Sequence, residues 1–154
     1  MDANRCQISV RFSKPVDIVF TWVNGSDQAF INTMLQYLPE GSEITTKRFR
    51  DWGNLRYALR SVEKYADWIN HVFIVTNGQV PIWLNTGYHK VSIVKHSEIF
   101  RNLSHLPTFN AGAIACHVHR IPGLSKSFLY MNDDFFFGKP VGLEDFYTNE
   151  TGFK

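Results

Sequence analysis

The chain has 154 residues, of which 44% are hydrophobic and 19% charged, so it is long enough for one globular domain with a buried core. Its formal charge of +2 comes from 16 basic and 14 acidic residues spread along the chain, which excludes the concentrated positive charge of a nucleic-acid-binding domain. No run of about 18 apolar residues occurs, so the sequence predicts no membrane segment.

The first predicted elements are a buried strand and a helix. The strand covers Val16 to Val23, a short run of β-branched and aromatic residues that the turn dipeptide Asn24-Gly25 closes. Ser26 or Asp27 is placed to cap a helix that continues to about residue 38. A loop at the end of such a strand is a common ligand site in α/β proteins.

A second predicted helix starts near Asp51 and carries two different faces. Apolar residues at helical spacing form one stripe, whereas Arg56 and Arg60, four residues apart, share another face. The forked guanidinium groups of an arginine pair suit phosphate oxygens, so a diphosphate is one predicted partner. The alternative is that both arginines pair with neighbouring acids on a solvated helix face.

The rest of the chain continues the alternation of strands and helices. The predicted elements are a strand at Val72–Thr76, a single helical turn at Pro81–Leu84, a strand at Val91–Lys95, a helix at Ala111–Arg120 and a last strand, SFLYMND. This order predicts an α/β fold with a mostly parallel sheet covered by helices. Ligands in such folds sit beyond the carboxyl ends of the strands, where TWVNGSD, TNGQ and NDD are found here.

The adjacent acids Asp133 and Asp134 follow the last strand. Two like charges in apolar surroundings raise each other's pKa and oppose folding, so a cation is the expected partner. Both side chains can approach one ion at the frayed end of a strand. Mg²⁺ or Mn²⁺ uses one or two carboxylates and takes its other ligands from water and a diphosphate. The alternative is that the pair caps a turn with solvent-exposed carboxylates.

Two histidines and a tryptophan are further candidates. His117 and His119 titrate near physiological pH and suit the roles of base, acid or phosphate contact. Helix positions two apart point about 200° away from each other, so at most one of the two faces a site, and both being structural is the alternative. The ring of Trp22, in the first strand-end loop, is predicted to pack on a base or a sugar.

Several common catalytic motifs are missing from the sequence. It contains no glycine-rich phosphate loop, no nucleophile elbow and no HExxH pair. Serine-based hydrolysis and zinc proteolysis are therefore not indicated. A metal, a diphosphate and a strand-end pocket remain as the predicted chemistry.

Four long segments together resemble the first two conserved regions of the Stealth family of sugar-1-phosphate transferases, with its animal branch the nearer match. They are DIVFTWVNGSD, RFRDWGNLRYALRSVEKYADWINHVFIVTNGQVPIWLN, FRNLSHLPTFN and FLYMNDDFFFGKPV. The resemblance covers residues 16–147, with the first region at about 16–27 and the second at about 45–147. Residues 1–15 are then expected to be an N-terminal extension and 148–154 the truncated end of an incomplete domain.

The resemblance implies a glycosyltransferase-like (GT-A or Rossmann-like) catalytic domain. Such a domain transfers sugar-1-phosphate, for example N-acetylglucosamine-1-phosphate, from a UDP-sugar to a hydroxyl of a glycan or glycoprotein acceptor. The reaction depends on a divalent cation, Mg²⁺ or Mn²⁺, and releases UMP. For the animal members, the resemblance implies the lumenal side of the Golgi membrane.

The family motifs fall on particular residues of this chain. Asp133 and Asp134 of NDD take the metal-binding and catalytic position, and His117 is a third catalytic candidate. The candidate contacts with the nucleotide sugar are Thr21, Trp22, Asn24, Gly25, Asp27, Arg56, Arg60, Asn77 and Asn132.

One position departs from the family pattern. Ala115 stands where the family carries a glutamate in the helix after LPTF, and alanine neither binds metal nor moves a proton. Two other functions therefore stay open. One is a paralogue or inactive fragment that binds UDP-sugar or glycan without turnover, and the other is a metal-dependent glycosyltransferase that releases UDP.

Overall fold

The structure, a computed structural model, describes residues 14–39, 49–148 and 152–153. The predicted N-terminal extension lies almost entirely outside the described residues, as does most of the predicted truncated end. No helix within the described ranges combines the length and the apolar character that crossing a bilayer requires.

A four-stranded parallel sheet organises the fold. Its strands, in chain order, are β1 (Val16–Thr21), β2 (Val72–Thr76), β3 (Val91–Lys95) and β4 (Ser127–Asn132). Their order across the sheet is β3-β2-β1-β4, and every neighbouring pair is parallel. The predicted α/β class with a parallel sheet is therefore confirmed.

Helices connect the strands, and a small hairpin follows them. The helices are α1 (Gln28–Leu35), α2 (Asn54–Tyr65), α3 (His96–Ile99) and α4 (Ala111–Ala115). Short 3-10 turns lie at Leu103–His105, Val118–Arg120 and Leu143–Asp145. The strands β5 (Tyr147–Thr148) and β6 (Gly152–Phe153) pair antiparallel in a separate two-stranded sheet.

Both faces of the central sheet are covered, because side chains alternate along β1. Ile18 and Phe20 belong to the cluster that includes Leu55 of α2. Val19 belongs to the cluster on the other face, which includes Ile99 of α3 and Ile114 of α4. Strands buried on both faces leave only their ends for a ligand.

Three predicted helices begin or end at different residues from those expected. α1 ends at Leu35 instead of near residue 38. α2 begins at Asn54 instead of near Asp51, because Gly53 has a left-handed φ of 76° and donates its N–H to Asp51 Oδ1 at 2.7 Å. The predicted helix at 111–120 divides after Ala115 into α4 and a 3-10 turn. There His117 Nδ1 lies 2.8 Å from the Ala113 carbonyl oxygen, which a continuous helix would bond to the His117 backbone N–H.

A buried carboxylate links β1 to the entrances of both neighbouring strands. Asp17 is 1% exposed. Its Oδ1 accepts a hydrogen bond from Asn70 Nδ2 and its Oδ2 accepts one from the Ser125 backbone N–H, both at 2.7 Å. These residues precede β2 and β4, so one side chain fixes where three strands begin.

Asp17→Ala is expected to lower the free energy of unfolding by about 2–4 kcal/mol, because two donors lose a charged acceptor. Urea denaturation measures this change. Asp67→Ala, at an exposed position, is the matched control, and its free energy of unfolding should stay within about 0.5 kcal/mol of that of the unchanged protein. Equal stability of the two variants would contradict the structural role of Asp17.

Candidate active site

A cavity of about 390 Å³ opens where three of the parallel strands end. The register aligns Thr21, the last residue of β1, with Val75 of β2 and Asn132 of β4. The residues of these strand ends that line the cavity are Thr21, Trp22, Val23, Val75, Asn77, Asn132, Asp133 and Asp134. Its volume is within the range of small-molecule sites, roughly 300–1,000 Å³.

Asp133 and Asp134 lie in the turn that ends β4, and both line the cavity. The turn is closed by a 3.1 Å hydrogen bond from the Phe135 N–H to the Asn132 carbonyl oxygen. Asp133 is partly buried and Asp134 is exposed. Burial, with a smaller contribution from the nearby charges of Asp134 and Asp51, raises the pKa of Asp133 to about 6. A positive charge in this cavity would relieve that cost.

The pair fits a magnesium or manganese ion shared with a ligand. Across the described ranges, no group of three or more His, Cys, Asp or Glu side chains is placed to hold a metal by itself. Mg²⁺ and Mn²⁺ commonly use one or two protein carboxylates and complete their coordination with water and phosphate oxygens. Asp133 and Asp134 are the residues that would hold such an ion.

A third carboxylate, Asp51, stands behind the cavity wall and was missed by the sequence analysis. Its Oδ2 accepts a hydrogen bond from Trp22 Nε1 at 3.2 Å, and its Oδ1 accepts the one from Gly53. These bonds tie the segment before α2 to the end of β1. No local pattern indicated this contact, which joins residues 29 positions apart.

Polar side chains of β1 and β4 meet at the cavity. Thr21 Oγ1 lies 3.2 Å from the Tyr130 hydroxyl, and both hydroxyl groups lie 3.4 Å from Asn132 Oδ1. The predicted site residues Thr21 and Asn132 are thus brought together. Asn77, after β2, lines the same cavity.

The loop after β1 builds the rim of the cavity. The Asn24 N–H donates to Gln79 Oε1 at 2.8 Å, and Gln79 Nε2 donates to the Asn24 carbonyl oxygen at 3.2 Å. Asp27 accepts the Phe30 N–H at 2.8 Å and so caps α1, as predicted. The cavity lining includes none of Asn24, Gly25 and Asp27, so their predicted contact with a nucleotide is not supported by their position.

Two residues that were predicted to contact a ligand, Trp22 and His117, make contacts within the protein instead. Trp22 lines the cavity, but it is only 7% exposed and packs in the core with its indole N–H on Asp51, so little of its ring is available for the predicted stacking on a base or a sugar. The His117 ring stacks on Phe100, with centroids 4.0 Å apart and planes at 11°. His117 Nδ1 lies 2.8 Å from the Ala113 carbonyl oxygen and the residue does not line the cavity, so its position does not support the predicted catalytic role.

The arginine pair of α2 lies away from the carboxylates. Arg56 and Arg60 line a second cavity of about 630 Å³, between α2 and the segment at 81–91. The Arg56 guanidinium lies 5.0 Å from the centre of the Trp83 ring. Tyr57, which follows Arg56 in the sequence, is exposed. The predicted contact of these arginines with the same diphosphate as Asp133 is not supported by this placement.

Three residues that the sequence analysis missed line the carboxylate cavity. His96 begins α3 and is buried, which lowers its pKa to about 4 and keeps the imidazole neutral at physiological pH. Arg50 and Trp52 lie on the opposite segment, before α2. Ala115, at the position of the family's glutamate, stands one helical turn after Ala111, which lines the cavity.

Comparison with known proteins identifies relatives of this chain. The profile of Stealth protein CR2, conserved region 2, matches residues 48–154, and that of Stealth protein CR1, conserved region 1, matches residues 14–42. The chain is 53% identical over 115 residues to the N-acetylglucosamine-1-phosphotransferase subunits alpha/beta of Homo sapiens. It is 44% identical over 140 residues to an exopolysaccharide phosphotransferase of Streptomyces coelicolor and 41% identical over 140 residues to a capsular polysaccharide phosphotransferase of Streptococcus thermophilus.

These matches cover most of the chain but only part of each relative. The match to the human relative covers 75% of this chain and 9% of the relative. The Streptomyces match covers 90% of this chain and 24% of the relative, and the Streptococcus match covers 88% and 58%. All three relatives carry the name phosphotransferase. Asp133 and Asp134 fall within the second conserved region, and Thr21 falls within the first.

Proposed function

The chain belongs to the Stealth family, and from that premise we propose that its strand-end cavity serves the transfer of sugar-1-phosphate from a UDP-sugar to a hydroxyl of an acceptor glycan. The names of its relatives support a phosphotransferase. UDP as the carrier of the sugar, release of UMP and dependence on Mg²⁺ or Mn²⁺ are parts of this proposal. Location in the Golgi lumen, for an animal member, stays a prediction of the resemblance.

One observation carries the proposal: two adjacent carboxylates line a ligand-sized cavity at the carboxyl ends of parallel strands. Such an edge is where α/β folds bind nucleotides. Burial raises the pKa of Asp133, so its ionised form is costly there, and a divalent cation bound to a diphosphate would offset that cost.

In the proposed reaction the acceptor oxygen attacks the phosphorus next to the sugar. A new bond forms between that oxygen and phosphorus, the bond from the phosphorus to the bridging oxygen breaks, and UMP leaves with the bridging oxygen. The work of the protein is then to position the reactants and to stabilise charge. The divalent cation, when bound, offsets negative charge on the phosphate oxygens.

The chain's own residues have distinct parts in this scheme. Asp133 and Asp134 would hold the cation, and a carboxylate oxygen of the pair that is not bound to the ion would receive the proton of the acceptor hydroxyl. His96, neutral because it is buried, offers one hydrogen-bond donor and one acceptor. The apolar side chains of Ile114 and Phe109 line the same cavity.

A specific observation favours a second candidate function. Ala115 removes a carboxylate that the family resemblance places in the active site, so nucleotide binding without turnover is the second candidate. The two functions differ in their products. We expect UMP when the protein is incubated with UDP-N-acetylglucosamine, Mg²⁺ and a mannose acceptor. UDP would indicate glycosyl transfer instead, and tight binding with no product would indicate a binding module.

Binding of Mn²⁺ together with UDP-N-acetylglucosamine is expected to weaken as the pH falls below about 6. Protons compete with the metal for Asp133, whose pKa is raised to about 6 by burial. One proton predicts a loss of about tenfold per pH unit below that value. Calorimetric titrations between pH 4.5 and roughly 7.5 measure it. UDP-N-acetylglucosamine suits this test because its esterified diphosphate keeps its charge throughout.

Without metal, the same group has the opposite effect on folding. The pKa of Asp133 is higher in the folded state, so its contribution to stability is present below its ordinary value of 3.8 and is lost as the pH rises through about 6. Asp133→Asn should therefore remove this part of the pH dependence of unfolding. A metal affinity that stays constant from pH 7 to about 5 would contradict the assignment of Asp133.

A further inference from the structure

The segment from Phe49 to Gly53 forms a rim of the proposed active-site cavity, with Phe49, Arg50 and Trp52 in the cavity lining. Asp51 is turned into the protein, where Trp22 Nε1 and the Gly53 N–H bond to it. Arg50 and Trp52, on either side of Asp51, line the cavity and are both exposed. Trp52 is 70% exposed, which is unusual for a tryptophan outside a binding surface.

Aromatic contacts hold this rim in place. The Phe49 ring lies 5.4 Å from the ring of Phe30 on α1, and Phe30 lies 5.5 Å from Phe109, both in edge-on arrangements. Gly25 approaches the backbone of Phe49 so closely that a side chain there would collide with it. Arg50 and Trp52 therefore stand on an anchored segment, which is the support that a binding residue needs.

Charge in the cavity is strongly unbalanced. Among the described residues that line it, Arg50 is the one lysine or arginine, whereas Asp133 and Asp134 are both acidic. The only interaction of the Arg50 side chain within the described part of the chain is with Trp52, whose ring centre lies 5.0 Å from the guanidinium carbon. Toward the described residues the guanidinium donates no hydrogen bond, and the Trp52 ring that it contacts takes none of its donors.

We propose that Arg50 binds the diphosphate of the nucleotide sugar, with Trp52 as the residue that positions its guanidinium group. The inference rests on the proposed function and assigns to Arg50 the role that the sequence analysis gave to Arg56 and Arg60. A forked guanidinium matches phosphate oxygens geometrically and stays charged at every relevant pH. Stacking on Trp52 reduces the freedom that Arg50 loses on binding.

The test compares the binding of UDP and of uridine by calorimetry at saturating Mn²⁺. Arg50→Gln is expected to weaken UDP binding about tenfold, the size of a lost charged hydrogen bond, and to leave uridine binding unchanged because uridine has no phosphate. Arg50→Lys keeps the charge but loses the forked geometry, so its affinity for UDP should lie between those of Arg50→Gln and the unchanged protein. Arg56→Gln, the matched change in the other cavity, should bind UDP as the unchanged protein does.

Trp52 has its own readout. Trp52→Ala should weaken UDP binding about threefold, as expected for an exposed cation–π contact, and Trp52→Phe should restore most of the affinity. Uridine has a base but no phosphate. If neither change alters the affinity for uridine, Trp52 does not contact the base and acts by positioning Arg50. A loss of uridine binding in Trp52→Ala would overturn the positioning role.

Two further results would overturn the inference. Arg50→Gln binding UDP as tightly as the unchanged protein would do so, and so would a loss confined to Arg56→Gln. Both results require that the unchanged protein binds UDP. Failure of the unchanged protein to bind UDP at all would instead refute the proposed function, so the two failures are distinguishable.

Discussion

Asp133→Asn is expected to lower the rate of sugar-phosphate transfer by a factor of about 100 or more, and to abolish the metal-dependent part of UDP binding. An amide is neutral and holds a divalent cation poorly against the negative charge of a diphosphate. Asp134→Asn should act in the same direction, because both side chains line the cavity. Initial rates of UMP release and calorimetry with Mn²⁺ measure the two effects.

Stability separates this loss from simple unfolding. Burial and neighbouring acids raise the pKa of Asp133, so its ionised form opposes folding at neutral pH. Asp133→Asn without metal should therefore be at least as stable as the unchanged protein at pH 7, while Asp67→Asn, at an exposed position, should keep full metal-dependent binding. An inactive Asp133→Asn that is also markedly destabilised would contradict this account.

Gly25→Ala is expected to have the second large effect, lowering the free energy of unfolding by about 3 kcal/mol and removing nucleotide binding. A Cβ atom at position 25 would overlap the backbone of Phe49, so the segment that carries Arg50 and Asp51 must move away. The sequence showed Asn24-Gly25 as a turn, but the close approach makes glycine necessary for a tertiary reason.

Gly138→Ala is the matched control for this change. A Cβ atom at position 138 meets nothing within 4 Å, and its backbone is not left-handed. We expect it to be close to neutral in both urea denaturation and UDP titration. If Gly25→Ala were as stable as Gly138→Ala and bound UDP equally well, the rim would not be fixed by the contact between Gly25 and Phe49.

Local patterns predicted the strands well. The bounds of β2 and β3 agree with the predictions, because short runs of β-branched residues between turn signals have few other structures available. The same reasoning gave Ser26 or Asp27 as the cap of α1, and the structure shows Asp27 in that position. The division of the third helix at His117 was not predictable in this way, since it depends on a side chain that competes for a helix carbonyl.

The site was only partly predictable because its walls come from distant segments. Topology alone places Thr21, Asn77 and Asp133 at one edge of a parallel sheet, and the structure has them there. Asp51 and His96 enter through tertiary packing that no local spacing indicates. Arg56 and Arg60 were placed on the correct helix, but the segment at 81–91 packs over that face and directs them to another cavity.

The aromatic run after the paired acids shows another limit of local patterns. Three phenylalanines suggested apolar surroundings for Asp133 and Asp134. Phe135 and Phe136 are instead 56% and 59% exposed, and only Phe137 packs against the core. The two exposed phenylalanines that follow Asp133 and Asp134 in sequence therefore do not provide the apolar surroundings that the sequence suggested.

The most direct test of the central claim, that Asp133 and Asp134 hold a divalent cation against a diphosphate, is the affinity of the protein for UDP with saturating Mn²⁺ and with the metal removed by a chelator. We expect the ion to tighten UDP binding by a factor of about ten or more and to leave uridine binding unchanged, because the coupling passes through the phosphates. Equal UDP affinity with and without Mn²⁺ would contradict the claim.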